Sequence, residues 1–192
     1  MFFVRLTICA AVLSVGLAAC TSGPKIRADA DPSANMASYK TFAFFDRVET
    51  DKSGYTTILT QHLKTATQRE LEKRGYQMVA SNPQILVNFN VNIQNKTSVQ
   101  SSPSMSGGYY GYRAGYYGTW AGYPQDIHTV HYQDGTLSID LVDATKKQLV
   151  WSGVAEGKLQ KAAIENPGPA VDRVVTSIFE KFPVAAPGAP AK

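Results

Sequence analysis

An alternation of apolar and polar side chains over residues 85–94 constrains the fold more than any other feature of this chain. Every second residue is large and apolar, namely Ile85, Val87, Phe89, Val91 and Ile93. Successive side chains of a β-strand point to opposite faces, so the pattern predicts a strand with one dry face and one wet face. The chain must therefore supply partner strands for this strand and other elements to cover its dry face.

Partner strands are predicted on both sides of this segment in the sequence. Tyr39–Phe45 is rich in the aromatic and β-branched residues that suit a pleated, half-buried surface. Three later segments have the same character: 127–132, 137–143 and 149–156. Asp134-Gly135 and the polar residues 144–148 are hairpin signals between them. We therefore predict an antiparallel meander plus an N-terminal strand, with a short extra strand at 76–79.

Two segments have the period of amphipathic helices. The first, residues 56–74, ends in two cations before Gly75, which favours the C-terminus of a helix. The second, residues 169–182, has apolar residues at helical spacing: Val171, Val174, Val175, Ile178 and Phe182. We therefore expect a single α+β domain over residues 39–183, in which two α-helices cover one face of an antiparallel β-sheet.

The N-terminus carries an export signal. Arg5 precedes a run of about 14 apolar and small residues, which is well short of the ~20 needed to span a bilayer. The run ends in Leu17-Ala18-Ala19-Cys20, which resembles the lipobox of bacterial lipoproteins, where cleavage precedes the cysteine and the thiol carries a diacylglycerol. Residues 1–19 are then a cleaved signal peptide and Cys20 is the lipid attachment site. Cleavage by an ordinary signal peptidase is the alternative, and it would leave Cys20 as an exposed thiol.

The segments that flank the domain are predicted to lack packed structure. Residues 20–38 are polar, small and proline-containing, as expected of a tether between a lipid and a domain. Residues 184–192 are rich in Pro and Ala and are predicted to be a disordered tail. Thr21 follows the cysteine where an Asp is typical of retention in the inner membrane, so the resemblance to lipoproteins implies a periplasm-facing protein of the outer membrane of a Gram-negative bacterium.

Charge and cysteine content exclude several classes of function. Cys9 and Cys20 both belong to the targeting segment, so the domain has no thiol for a disulfide, a nucleophile or a metal site. The formal net charge is +4, to which Arg5 contributes one, and the basic residues form no block. A nucleic-acid partner is therefore not expected.

An aromatic, glycine-rich segment at 107–123 is the candidate binding surface. It holds six of the ten tyrosines, and its aromatic side chains suit sugar rings, peptides or a partner protein. The residues we single out are Tyr109, Tyr110, Tyr112, Tyr116, Tyr117 and Trp120. The alternative is a long insertion whose glycines prevent a fixed pocket.

No pattern in the sequence predicts catalysis, a metal site or a cofactor. His128 and His131 are three residues apart on a predicted strand and so point to opposite faces, as do Asp140 and Asp143. His62 lies at the edge of a helical stripe, and no nucleophile elbow, phosphate loop or zinc-protease motif occurs. We therefore expect no enzyme activity.

Several short motifs occur in an order that resembles one family of envelope lipoproteins, called domain of unknown function 4136. They are Ser38–Ala43, Gly75-Tyr76, Pro83–Val87, Gly135–Asp143, Val150–Gly153 and Phe182-Pro183. The resemblance implies a fold and a compartment, and it carries over no catalytic residue because the activity of the family is unknown. The expected function is a non-enzymatic lipoprotein that binds the membrane through Cys20 and an envelope protein or the cell wall through its domain, with a glycan- or peptide-binding module at 107–123 as the alternative.

Overall fold

The computed structural model of this chain describes residues 23–51, 55–103 and 125–187. Within these ranges there are six strands: β1 (Lys25–Ala30), β2 (Thr41–Phe44), β3 (Gln77–Met78), β4 (Ile85–Pro103), β5 (Gln125–Asp143) and β6 (Gln148–Lys158). The described helices are α1 (Ile58–Glu72), α2 (Lys161–Glu165) and α3 (Pro167–Phe179), with a short 3-10 turn at Met36–Ser38.

All six strands form one mixed sheet in the order β1-β6-β5-β4-β2-β3. The α+β class is confirmed, and the pairs from β1 to β4 are antiparallel. The prediction of an antiparallel sheet is wrong at β2, which runs parallel to both β4 and β3. Helix α1 lies between β2 and β3 in the sequence. It carries the chain back to the end of the sheet at which β2 begins, as a parallel connection between the two strands requires.

The predicted hairpin turn at Asp134-Gly135 is wrong, because β5 is one continuous strand of 19 residues. Asp134 pairs with Gln94 of β4 on one side and with Lys158 of β6 on the other. An Asp-Gly pair makes a turn only where the segments on either side of it pair with each other. Here both segments pair with neighbouring strands, so the backbone stays extended.

The ordered domain begins earlier than predicted, so the expected tether over 20–38 is wrong for residues 25–38. β1 pairs along its whole length with β6, from Lys25↔Glu156 to Ala30↔Trp151. Met36, farther along the same segment, is buried in the core. β1 is an edge strand with mostly exposed polar side chains, so composition alone made it look like a linker.

The core lies between the sheet and helices α1 and α3. Trp151 of β6 is 1% exposed, and its ring centroid is 5.5 Å from that of Phe179 and 5.0 Å from that of Phe182. Phe182 lies beyond the end of α3 but is still buried. Val184 packs against the same core, so the predicted tail over 184–192 is wrong at its first residue, and residues 188–192 lie outside the described ranges.

Asp143 holds together the end of β5 and the turn that follows it. Its carboxylate accepts hydrogen bonds from the backbone N–H groups of Thr145 (2.9 Å) and Lys146 (2.8 Å), and from the Tyr39 hydroxyl (2.9 Å). The Lys146 N–H makes the largest contribution to a lowered pKa of Asp143, and the Tyr39 and Thr145 bonds add to it against the effect of burial.

Asp143→Ala is expected to lower the free energy of unfolding by about 1–3 kcal/mol, because it leaves three partly buried donors without their acceptor. A urea titration at pH 7 followed by circular dichroism measures the change. Since the folded pKa lies below the ordinary value of 3.8, the contribution is present at neutral pH and is lost as the pH falls below about 4. Asp143→Asn, which keeps one acceptor oxygen, should lose less, and an equal loss in both variants would contradict this role.

Candidate interaction surface

Strands β4 and β5 extend beyond the rest of the sheet as a two-stranded arm. β6 pairs with β5 only over Asp134–Asp143, whereas β4 and β5 continue to pair as far as Pro103↔Gln125. We call residues 95–103 and 125–133 the arm. Its two outer edges have no strand partner within the described residues.

Cross-strand contacts near the base of the arm hold its register. The Thr97 hydroxyl lies 3.1 Å from Nδ1 of His131, and the Gln133 side-chain amide donates to Oδ1 of Asn95 at 3.0 Å. On the opposite face Lys96 forms an ion pair with Asp134 at 2.6 Å. Such pairs contribute about 0.2–1 kcal/mol each and align the two strands.

The arm exposes large apolar side chains. Val99 and Ile127 are each 66% exposed, and Ile93 at the base of the arm and Val130 are also exposed. Ile93, Val99 and Ile127 share the face that continues the buried side of the sheet, while Val130 lies on the other face. Val99 and Ile127 lie on neighbouring pairs of this face, and exposed apolar side chains that lie next to each other are a feature of interaction sites. The arm is therefore the candidate interaction surface among the described residues.

The site residues predicted from the sequence lie outside the described ranges. Cys20 precedes Gly23, the first described residue. Tyr109, Tyr110, Tyr112, Tyr116, Tyr117 and Trp120 belong to residues 104–124, which connect Pro103 to Gln125. These two residues pair at the far end of the arm, so the aromatic segment follows directly from it.

The histidines occupy separate places. His128 and His131 lie on opposite faces of β5, as their spacing predicts, since they pair with Gln100 and Thr97 respectively. His62 of α1 lies against α3, where a Cβ added to Gly168 would be 3.0 Å from Cε1 of His62. Among the described residues no group of three or more His, Cys, Asp or Glu could hold a metal ion.

Asp140 and Asp143, which the sequence predicts to point to opposite faces, both have structural partners. Asp140 accepts a hydrogen bond from the Ser152 hydroxyl at 2.6 Å, which links β5 to β6. Asp143 caps the turn described above. A separate open depression of about 310 Å³ next to α1 is lined by Asp46, Arg47, Asp51, Tyr55 and Thr56. In it, the Asp51 carboxylate accepts from the backbone N–H of Thr57 and so serves the start of α1.

Sequence reasoning missed the arm. The regular alternation stops at Gln94, because the arm has no core behind it and polar residues are tolerated on both faces. The available signal is the apolar content of 127–132, which predicts a strand of the meander but not that the strand extends beyond the core. Val99 and Ile127, the most exposed apolar residues of the arm, were not singled out.

Comparison with known proteins links the chain to one family. A family model with the description Domain of unknown function (DUF4136) matches residues 26–184. No curated relative matches the chain. No described helix is long and apolar enough to cross a membrane.

Three solved structures match most of the chain. A PDZ domain protein from Parabacteroides distasonis is 11% identical with a TM-score of 0.50, and the match covers 84% of this chain but only 36% of that protein. A DUF4136 family protein from Bacteroides thetaiotaomicron is 15% identical with a TM-score of 0.49, and the match covers 84% and 97% of the two chains. The PelC dodecamer from Paraburkholderia phytofirmans is 8% identical with a TM-score of 0.43, and the match covers 81% and 94%.

Proposed function

Because this chain belongs to the DUF4136 family, we propose that it is a non-enzymatic bacterial envelope lipoprotein. Acyl chains on Cys20 anchor it, most favourably in the outer membrane, and its domain faces the periplasm. There the domain serves in protein interaction or envelope maintenance.

One observation carries this proposal: Cys20 follows an apolar run directly and stands five residues before β1. A signal peptide that ends at this cysteine leaves a lipid anchor immediately in front of the folded domain. Two acyl chains are enough for stable membrane attachment, whereas a single chain binds only marginally. The anchor therefore needs no membrane-spanning helix.

The described polar residues support a non-enzymatic role. Three acidic residues have partners that give them a structural role. Asp140 accepts a hydrogen bond from Ser152, and Asp143 accepts from the turn after β5. The buried Glu70 pairs with the two cations Lys73 and Arg74. A catalytic acid or base instead needs a geometry that is aimed at a substrate. The exposed apolar residues of the arm fit an interaction domain better.

Mass spectrometry of the protein purified from bacterial membranes tests the anchor. We expect a mature N-terminus at Cys20 that carries the additional mass of a diacylglycerol. Cys20→Ser is the matched control and should lack this mass. A free thiol at Cys20, or a mature N-terminus at another residue, would contradict the proposal.

The alternative function is a glycan- or peptide-binding module that uses the segment 107–123. It is favoured by the connection of this segment to the paired residues Pro103 and Gln125, at the end of the arm farthest from the core. Deleting 107–123 and measuring retention on purified cell-wall material separates the two functions. Unchanged retention would rule out the aromatic segment as the binding surface.

A further inference from the structure

The N-terminus and the arm leave the sheet at the same end. A continuous row of paired residues crosses the sheet from Lys25, the first residue of β1. The row passes through Glu156 of β6 and Thr136 of β5 and ends at Asn92 of β4. Beyond this row β4 continues toward Pro103, and the chain before Lys25 continues in the same direction. Pro24 confirms that direction, because a Cβ added to Gly157, the next residue of β6, would lie 3.1 Å from Cα of Pro24.

The arm is longer than the chain that joins the domain to Cys20. From Asn92 to Pro103 there are eleven residues, which in extended backbone span about 36 Å. From Cys20 to Lys25 there are five, which reach at most about 18 Å. If the end of the sheet from which the chain leaves faces the membrane, the connection to Cys20 is therefore too short to keep the arm clear of the bilayer.

The chain before Lys25 is also too short for the opposite orientation, in which the other end of the sheet would face the membrane. To place the other end of the sheet on the membrane, the chain before Lys25 would have to run back past Ala30, five pairs along β1, and past the turn at Lys146. The distance from Lys25 to Ala30 alone is about 17 Å, which is nearly the full reach of the chain between Cys20 and Lys25. The short connection therefore keeps the end of the sheet that carries the arm close to the membrane surface.

The chemistry of the arm suits that surface. Over the arm, the residues of type Asp, Glu, Lys or Arg are Lys96 and Asp126, and Lys96 lies on the face opposite Val99, so little charge would have to leave water. Val99 and Ile127 stand on neighbouring pairs of the same face and are exposed. Apolar side chains in such a position gain free energy by entering the boundary between headgroups and acyl chains.

We propose that the face of the arm that carries Val99 and Ile127 lies on the bilayer in which Cys20 is anchored. This inference rests on the proposed lipid attachment and adds a second, non-covalent membrane contact. It brings the end of the sheet that carries the arm to the membrane and leaves the turn after β5 at the end farther from it.

Site-specific fluorescence tests the contact on the full mature protein. Signal cleavage removes Cys9 and acylation occupies Cys20, so one introduced cysteine is the only free thiol. Val99→Cys and Ile127→Cys report on the proposed face, Gln100→Cys on the opposite face beside Val99, and Lys146→Cys on the far end of the sheet. Each is labelled with an environment-sensitive fluorophore and reconstituted in phosphatidylethanolamine–phosphatidylglycerol vesicles that contain lipids brominated on the acyl chain. Mass spectrometry first confirms that Cys20 is acylated, and circular dichroism that each variant is folded.

We expect quenching of the labels at positions 99 and 127 to be several times stronger than at 146, and stronger than at 100. Equal quenching at 99, 127 and 146 in acylated protein would overturn this inference and leave the lipid anchor standing. Stronger quenching at 100 than at 99 would reject the proposed face. If the labels at 99 and 127 are shielded without vesicles and sedimentation shows a doubled mass, a second copy of the chain covers the arm and the inference is wrong. If Cys20 is not acylated, the proposed function fails and this inference fails with it.

Discussion

Replacing Trp151 by alanine is expected to lower the free energy of unfolding by about 3–5 kcal/mol. Trp151 is the largest fully buried side chain of the described residues and contacts both Phe179 and Phe182. Removing the indole opens a cavity between β6 and α3 that the surrounding aromatic rings cannot fill without leaving their own contacts. Urea unfolding followed by circular dichroism gives the loss directly.

Leu149→Ala is the matched control for Trp151→Ala. Leu149 lies in the same strand two residues away, but it is 49% exposed, so we expect a loss below about 1 kcal/mol. Trp151→Phe should fall between the two variants, because part of the ring volume remains. A loss from Trp151→Ala as small as that from Leu149→Ala would show that α3 does not depend on this contact.

Arg74→Met is expected to cost about 3–5 kcal/mol, because it leaves the carboxylate of Glu70 buried with too little compensation. The two side chains are 7% and 3% exposed, and Nη1 of Arg74 lies 2.8 Å from Oε2 of Glu70. The same guanidinium donates to the backbone carbonyl groups of Phe179 (2.9 Å) and Val184 (3.1 Å). The variant therefore also loses a link between α1 and the end of the chain.

The pH dependence of this loss identifies its cause. Burial raises the pKa of Glu70, but hydrogen bonds from Lys73 and Arg74 outweigh burial and hold the pKa below its ordinary value of 4.5. The stabilisation by this network is therefore present at neutral pH and is lost as the pH falls below about 4.5. Without Arg74 the charged carboxylate keeps the Lys73 hydrogen bond but loses part of the compensation for its burial, so the difference between variant and wild type should be largest at pH 7 and shrink toward pH 4.

Two further variants separate this network from surface charge. Arg27→Met removes an exposed cation that pairs with Glu156 at 3.3 Å and does not contact Glu70, and we expect a loss of at most about 1 kcal/mol. Combining Glu70→Gln with Arg74→Met removes the uncompensated charge and should recover part of the loss. If the double variant is no more stable than Arg74→Met at pH 7, buried charge is not the reason for the destabilisation.

The parts of the fold that follow from local periodicity were predictable from the sequence. The stripes of α1 and α3 lie on the core, and Gly75, predicted to stop the first helix, has a φ of +85°. The prediction of which side chains are buried fails where the pairing register of the strands changes. A shift in pairing between Leu141 and Val142 accompanies a buried Val150 and an exposed Leu149, whereas strict alternation with the buried Trp151 would place Leu149 inside.

Features that depend on pairing between distant segments were not predictable from local pattern. β1 is defined by backbone hydrogen bonds to β6, and the parallel direction of β2 depends on the crossover through α1. The arm is the same kind of feature, because its strands pair with each other without a core to impose alternation. The candidate interaction surface was therefore not predictable, because the apolar residues of 127–132 predict a strand but do not show that this strand has no core behind it.

The position of β1 also determines how the domain responds to mechanical tension. The chain that precedes Lys25 enters β1 lengthwise, and β1 is joined to β6 by six consecutive residue pairs. Because the hydrogen bonds between strands lie perpendicular to them, a pull along β1 loads these pairs together in shear. Tension that arrives through the N-terminus is thus shared by the whole strand before it reaches the core around Trp151.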